Sequence, residues 1–363
     1  QITKAEYDRL KNKKTVTTQR SSQTGRTFEE GKAEYDRLKD KKTSVASKKP
    51  EPKAAPEARV IKAPENEGKI AVIIGNKNYV SADYGVAYAH NDADAIRELV
   101  KKRLGYRDGN IIELKDATAG DFMSVFGTEE SYEGKLFDWV RAGKSDVIVY
   151  YSGHGVPDLK DGRGYLLPVD GNPDRARLTG YSLELLLDNL AKIPARSITV
   201  YLDTCFSGNS HQGMLVRSAS PIPVTPEDIS AGSQHMVVLM AASGDQVANW
   251  NDDEQHGLFT WHLLEALSGT ADKYLNYGND DGKVVVSEVK KYLDEEMTYE
   301  ARLRYGREQN VWISGEMERV LVSLTGEIPE VTVTKKPKVS PEEKAAPKED
   351  RSVLELALWE AAD

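Results

Sequence analysis

Two unbroken stretches of apolar, β-branched residues constrain this chain most, because each ends in a short glycine-bearing loop that carries a reactive side chain. Asp146-Val147-Ile148-Val149-Tyr150-Tyr151 leads into Ser152-Gly153-His154-Gly155, and Ser197-Ile198-Thr199-Val200-Tyr201-Leu202 leads into Asp203-Thr204-Cys205-Phe206-Ser207-Gly208. Runs without polar alternation read as strands buried on both faces, the condition of a parallel sheet covered by helices. In open sheets of that kind, ligands bind beyond the carboxyl ends of the strands, where His154 and Cys205 would both lie. Cys205 is the only cysteine in 363 residues, so no intramolecular disulfide is open to it. A lone cysteine with a histidine elsewhere is a candidate nucleophile.

The same texture recurs along the middle of the chain. Lys69 to Gly75 reads as a first strand, Asn110 to Leu114 as a second, Met236 to Ala241 as a fifth and Arg319 to Leu324 as a sixth. Helical spacing marks Asn91 to Val100, with Asn91 as N-cap, then a stretch around Tyr132 to Arg141, Ser182 to Leu190, Leu258 to Leu267, and Ser287 to Met297 with Ser287 as cap. Strands alternating with helices predict an α/β fold: a mostly parallel six-stranded sheet flanked by helices on both faces. No strand leads into a glycine-rich phosphate loop, which disfavours a nucleotide-binding fold.

Charge divides the chain unevenly. Residues 1 to 63 carry 17 Lys or Arg against 9 Asp or Glu, a balance of +8, so the chain's net −9 leaves −17 for the remainder. Residues 1–66 read as a basic, mostly disordered arm, since Ser, Thr, Gln, Lys and Pro there cannot bury enough apolar surface to order it. The arm repeats one segment, Lys4-Ala5-Glu6-Tyr7-Asp8-Arg9-Leu10-Lys11, at Lys32 to Lys39, and two copies are too few for a solenoid. It lacks interleaved aromatics, so a nucleic-acid partner is not expected. Residues 211 to 233 form a Ser/Pro/Thr-rich loop long enough to be functional or cleavable. Residues 326–350 read as a Pro/Lys/Glu linker, and 351–363 as the start of a helical C-terminal region. The chain starts at Gln1, which suggests a processed or partial form, and no run of 18 apolar residues offers a membrane span. Compartment and oligomeric state are left open by the composition, with a cytoplasmic setting favoured.

The chemistry follows from the two loops. A thiol attacks a carbonyl as thiolate, so Cys205 needs a base or cation nearby, and His154 is the natural candidate. The oxyanion needs preorganised donors, and Gly155 lets its backbone amide approach a substrate closely, with the Cys205 amide as second donor.

These residues also resemble a known family. Tyr150-Tyr151-Ser152-Gly153-His154-Gly155 and Asp203-Thr204-Cys205-Phe206-Ser207-Gly208 look like the histidine and cysteine motifs of the caspase-like cysteine peptidases. Ala71 to Asn76 with Asn91-Asp92-Ala93 resembles the opening of their large subunit, and Gly257-Leu258-Phe259-Thr260 a turn in their small subunit. Within the family the chain looks closest to metacaspases and bacterial orthocaspases, because the Gln-Ala-Cys motif of true caspases is absent. The resemblance implies a large-subunit part over about 67–210, the loop 211–233, and a small-subunit part over about 234–325. It implies an endopeptidase acting on protein or peptide substrates through a Cys205–His154 dyad. It further implies that Asp92 and Asp203 line the S1 pocket and pair with Arg or Lys, with Ser243, Asp245 and Trp250 completing the wall. Arg217 in the long loop then becomes a possible self-cleavage site.

The chain departs from the resemblance in two places. Many metacaspases hold calcium through paired aspartates upstream of the nucleophile strand and an acid after the cysteine. Here those regions read Leu178-Thr179-Gly180-Tyr181 and Asn209, His211, Gln212, so no cofactor or metal ligand is read from the residues, and calcium activation is left open by the resemblance alone. Asn279-Asp280-Asp281-Gly282-Lys283 followed by Glu288 has half the pattern of a calcium loop, but Tyr277 stands at the first ligand position, and a turn before a helix is the expectation. Phe206 stands where many metacaspases have histidine.

Overall fold

The computed structural model describes residues 68–80, 84–158, 163–206, 209–210, 213–214, 235–244 and 246–324. The basic arm with its duplicated segment, most of the loop 211–233, the linker 326–350 and the segment 351–363 lie outside the described residues, as do Asp245 and Arg217.

Three strands of seven residues each, β1 (Lys69–Gly75), β3 (Asp146–Ser152) and β4 (Ser197–Asp203), form the centre of the sheet. They are joined by β2 (Ile111–Lys115) at one edge and by β5 (Met236–Met240) and β6 (Trp312–Ser314) at the other. The spatial order is β6-β5-β4-β3-β1-β2, and every pairing is parallel except β5 with β6. The central strands are buried on both faces, which is why their sequences run apolar without alternation.

Successive side chains of each strand go to opposite faces. Ile73, Tyr150, Tyr201 and Leu239 join a core with α1 (Ala89–Lys102), α4 (Leu258–Glu265) and α5 (Val286–Tyr292). Val72, Ile74, Tyr151, Val200 and Met240 join a second core with α2 (Ala119–Phe126) and α3 (Leu183–Lys192) on the other face. Helix α6 (Thr298–Tyr305) follows α5 after a wider π turn at Leu293–Met297. The stretch read as one helix from Ser287 to Met297 is helical throughout, with its second half in the wider π turn.

Three local expectations need correction. The sixth strand of the sheet is Trp312–Ser314, with Leu239 opposite Ile313. The apolar run at 319–324 instead forms Val320–Ser323, which pairs antiparallel with Lys283–Val285 outside the main sheet. Gly315, at φ +112°, turns the chain off the sheet between the two, and a Cβ there would sit 2.5 Å from the Met236 carbonyl. Asn91 does not cap α1: the helix starts two residues earlier, and the Asn91 amide donates to the Gln255 carbonyl at 3.0 Å. Nor does Ser287 cap α5, where the Glu288 carboxylate accepts from the Val285 amide at 3.0 Å. Helix α2 went unread, although Thr118 and Asp121 cap its start by exchanging hydrogen bonds. The acidic segment at 279–283 is a turn in which Asp272 accepts from the amides of Asp281 and Gly282, both at 3.0 Å.

Candidate active site

The register of the central strands brings the two reactive residues together. β3 and β4 pair with Ser152 opposite Asp203, and the Gly153 amide extends the ladder by donating to the Asp203 carbonyl at 3.3 Å. His154 and Cys205 each come two residues after that row, at the carboxyl end of adjacent strands. Both line one small pocket with Val86, Asp92, Ser152, Gly153, Asp203, Thr204, Ala248, Trp250 and Gly257. Its volume is about 30 Å³, room for about one water molecule.

His154 is held from three sides. Its Nε2 lies 2.6 Å from the Tyr84 carbonyl, its amide donates to the Tyr79 hydroxyl at 2.9 Å, and its carbonyl accepts from the Tyr151 hydroxyl at 2.7 Å. The Tyr79 ring lies 5.0 Å from the imidazole, centroid to centroid. A carbonyl only accepts, so the ring proton sits on Nε2 and Nδ1 is the basic nitrogen. Burial pushes the imidazole down to about 4, against the opposing hydrogen bond to Tyr84, and His154 is therefore neutral at neutral pH.

Gly155 packs against the Cys205 loop and is not on the pocket lining. A Cβ there would meet the Cys205 carbonyl at 2.6 Å and the Phe206 ring at 2.8 Å, so only glycine lets the two loops approach this closely. The Thr204 hydroxyl, beside Cys205, is buried with no hydrogen-bond partner among the described residues.

The acidic part of the pocket is built by Asp92 from α1 and Asp203 from the end of β4. Asp92 is 1% exposed. Its Oδ1 accepts from His256 Nδ1 at 2.8 Å and from the Gly257 amide at 3.1 Å, while Oδ2 accepts from Ser152 Oγ at 3.0 Å. Asp203 Oδ2 accepts from the Thr260 amide at 3.1 Å and from the Thr260 hydroxyl. Burial raises both carboxyls. Asp92's rise is opposed mainly by His256, whereas Asp203 is pushed up to about 7 by burial and then by the charge of Asp92. Gly257 lies between them, and a Cβ on it would come within 2.1 Å of Asp203 Oδ2.

One hairpin contributes Trp250 and Gly257 to the wall. Trp250–Asn251 pairs antiparallel with His256–Gly257, so Trp250 stands opposite Gly257. The Tyr88 hydroxyl and the Asn91 amide of the α1 region fasten the hairpin through Asp252 and the Gln255 carbonyl.

Of the residues singled out in the sequence, Cys205, His154, Asp92, Asp203 and Trp250 share the pocket. Ser243 is not on its lining, and its hydroxyl donates to the Asn310 carbonyl at 3.0 Å. Among the described residues no group of three or more His, Cys, Asp or Glu is placed to hold a metal ion, and no helix is long and apolar enough to cross a membrane.

The caspase-domain family model matches residues 68–322, most of the chain. The chain belongs to the caspase-domain family. Its fold is similar to a solved caspase-1 from Spodoptera frugiperda at 13% identity, with 76% of this chain and 96% of that one covered and a TM-score of 0.46. No curated protein matches the sequence. Caspase-domain peptidases act on proteins, so the pocket is a candidate site for a polypeptide substrate. Four contributors escaped the sequence reading: Tyr79 and Tyr84, which hold His154, and Ser152 and His256, which hold Asp92. The histidine directly before the Gly257 motif was the one signal available for His256.

Proposed function

We propose that the chain is a cysteine endopeptidase of metacaspase or orthocaspase type that cleaves peptide bonds after Arg or Lys. The observation that supports this reading is one pocket lined by Cys205 and His154 together with two buried carboxylates, Asp92 and Asp203. A cationic side chain entering that pocket would meet two acids and no Lys or Arg among its lining residues.

In this mechanism His154 Nδ1 takes the Cys205 thiol proton and the thiolate attacks the scissile carbonyl carbon, forming a C–S bond and an oxyanion. Backbone amides at Gly155 and Cys205 would hold that oxyanion. Collapse breaks the C–N bond while the imidazolium gives its proton to the leaving amine, and water then hydrolyses the thioester. Trp250 and Gly257, paired across the hairpin, line the pocket with the two acids. Self-cleavage at Arg217 and activity without calcium belong to the same proposal.

Hydrolysis of matched fluorogenic peptides ending in Arg, Lys or Asp tests it, with Cys205→Ala alongside and with calcium or chelator added. Cleavage after Arg or Lys that vanishes in the variant and survives the chelator is expected. Cleavage after Asp would overturn the pocket assignment, and no cleavage under any condition would point to a silent scaffold.

A further inference from the structure

The two acids of the pocket are not equivalent. Asp92 has both oxygens engaged: Oδ1 by His256 Nδ1 and the Gly257 amide, Oδ2 by Ser152 Oγ and, more weakly at 3.3 Å, by the same Gly257 amide. Asp203 has Oδ2 engaged by Thr260, whereas its Oδ1 accepts no hydrogen bond among the described residues. An arginine or lysine side chain needs a free acceptor oxygen, and of the two carboxylates only Asp203 offers one.

Asp92 must then act through its field, which requires that it stay ionised beside a second buried acid. Two neighbouring buried carboxylates share a proton unless donors favour the charged form. Three groups donate to Asp92: a backbone amide, a serine hydroxyl and the His256 imidazole. The hydroxyl can also turn to donate to another acceptor, but an Nδ1–H cannot. His256 is 4% exposed, stacked 6.1 Å from the Trp261 ring, and fixed by the hairpin register that puts it opposite Asn251. Its contact with Asp92 spans 164 residues of sequence.

We propose that His256 is a positioning residue for the specificity pocket: it fixes Asp92 as a hydrogen-bonded carboxylate and leaves Oδ1 of Asp203 as the direct contact for the substrate cation. This rests on the Arg/Lys reading above and deepens it. The preference for a cation over a neutral side chain of the same shape then depends on His256, a residue that does not line the pocket.

The test compares peptides ending in arginine with the same peptides ending in citrulline, its neutral near-isostere. Wild-type enzyme, His256→Phe and His256→Asn are assayed together; asparagine can place an N–H close to where Nδ1–H stands. His256→Phe is expected to lower the arginine-to-citrulline ratio of kcat/KM by about ten-fold or more, mainly through KM, the size associated with one hydrogen bond to a charged group. His256→Asn is expected to restore most of that ratio. An unchanged ratio in His256→Phe, or equal losses in both variants, would overturn the proposal while leaving the Arg/Lys specificity intact. Wild-type enzyme that does not prefer arginine to citrulline would instead sink the specificity reading itself. Should His256→Phe fail to fold, ¹⁵N imidazole spectra of the wild-type enzyme decide. A protonated Nδ1 on His256 whose resonance moves in Asp92→Asn supports the assignment, and a bare Nδ1 overturns it.

Discussion

The Nε2–H of His154 donates to the Tyr84 carbonyl over 2.6 Å, and this one bond determines which imidazole nitrogen can act as a base. With Nε2 committed, proton transfer falls to Nδ1, and burial keeps the ring neutral until the pH nears about 4. A histidine left at its ordinary value of 6.5 would be partly protonated, and so idle as a base, across mildly acidic conditions.

The acid limb of kcat/KM should therefore lie below about pH 5. A pH profile with a neutral-P1 substrate, which leaves the acidic pocket out of account, measures it. An acid limb near 6.5 would mean that the imidazole is solvated in the working enzyme.

Two buried groups of the site, His154 and Asp203, pull stability in opposite directions as pH changes. The unfolded chain binds a proton at His154 near 6.5 that the folded chain refuses until about 4, so stability rises with pH across that window. Asp203 works in reverse: the folded chain keeps its proton until about 7 while the unfolded chain releases it near 3.8, so stability falls as pH rises between those values. The first effect is worth about 3 kcal/mol and the second about 4 kcal/mol, so they largely oppose each other. Asp203→Asn removes only the second, so its urea midpoint should climb from pH 4 to pH 6.5 more steeply than that of the wild type. Parallel curves would show that Asp203 titrates normally.

The central strands were legible because burial on both faces leaves no polar alternation to confuse their reading, as in Val147 to Tyr151 and Ile198 to Leu202. Strand β6 was not, since three half-buried edge residues make no apolar run, and Val320 to Val322 next door made a better one. Cys205 and His154 were named from the loops that end the central strands, and Asp92 and Asp203 from the family resemblance. What holds them was not: Asp92 and His256 are 164 residues apart, and Tyr79 meets His154 across 75, separations that no local period encodes. Ser243 follows β5 as expected, yet its hydroxyl is taken by Asn310.

Gly257→Ala should disable the pocket while leaving most of the fold in place. The glycine has an ordinary φ of −57°, so the objection to a side chain is space and not backbone conformation. The new methyl would stand 2.1 Å from Asp203 Oδ2, and the carboxylate or the hairpin would have to shift. A displacement of about 1 Å at such a site costs on the order of 100-fold in kcat/KM, and overpacking costs about 1–3 kcal/mol of stability. Kinetics on arginine peptides together with urea unfolding separate the two. Activity within a factor of about two of the wild type would show that the carboxylate has other room.

Asp116 should matter to catalysis although it is absent from the pocket lining. It sits at φ +60° after β2 and accepts hydrogen bonds from the Lys77 and Asn78 amides, from the Asn78 side chain and from His90 Nε2, at 2.8 to 2.9 Å. Burial opposes its charge, but those bonds hold its carboxyl below the usual range. The loop it gathers presents Tyr79 to the His154 amide, and the Lys77 carbonyl in turn accepts from Val86, close to the Tyr84 carbonyl that fixes Nε2. Asp116→Ala takes the acceptor from the half-buried Lys77 amide and puts alanine at a positive φ, a loss of about 1–3 kcal/mol. It also loosens both supports of His154, so kcat should fall about ten-fold with KM little changed, because the acids that would hold the substrate side chain are untouched. Asp116→Asn, which tolerates the same φ and keeps one acceptor oxygen, should fall between the two. A KM effect as large as the kcat effect would mean that the loop touches substrate and does not act through His154.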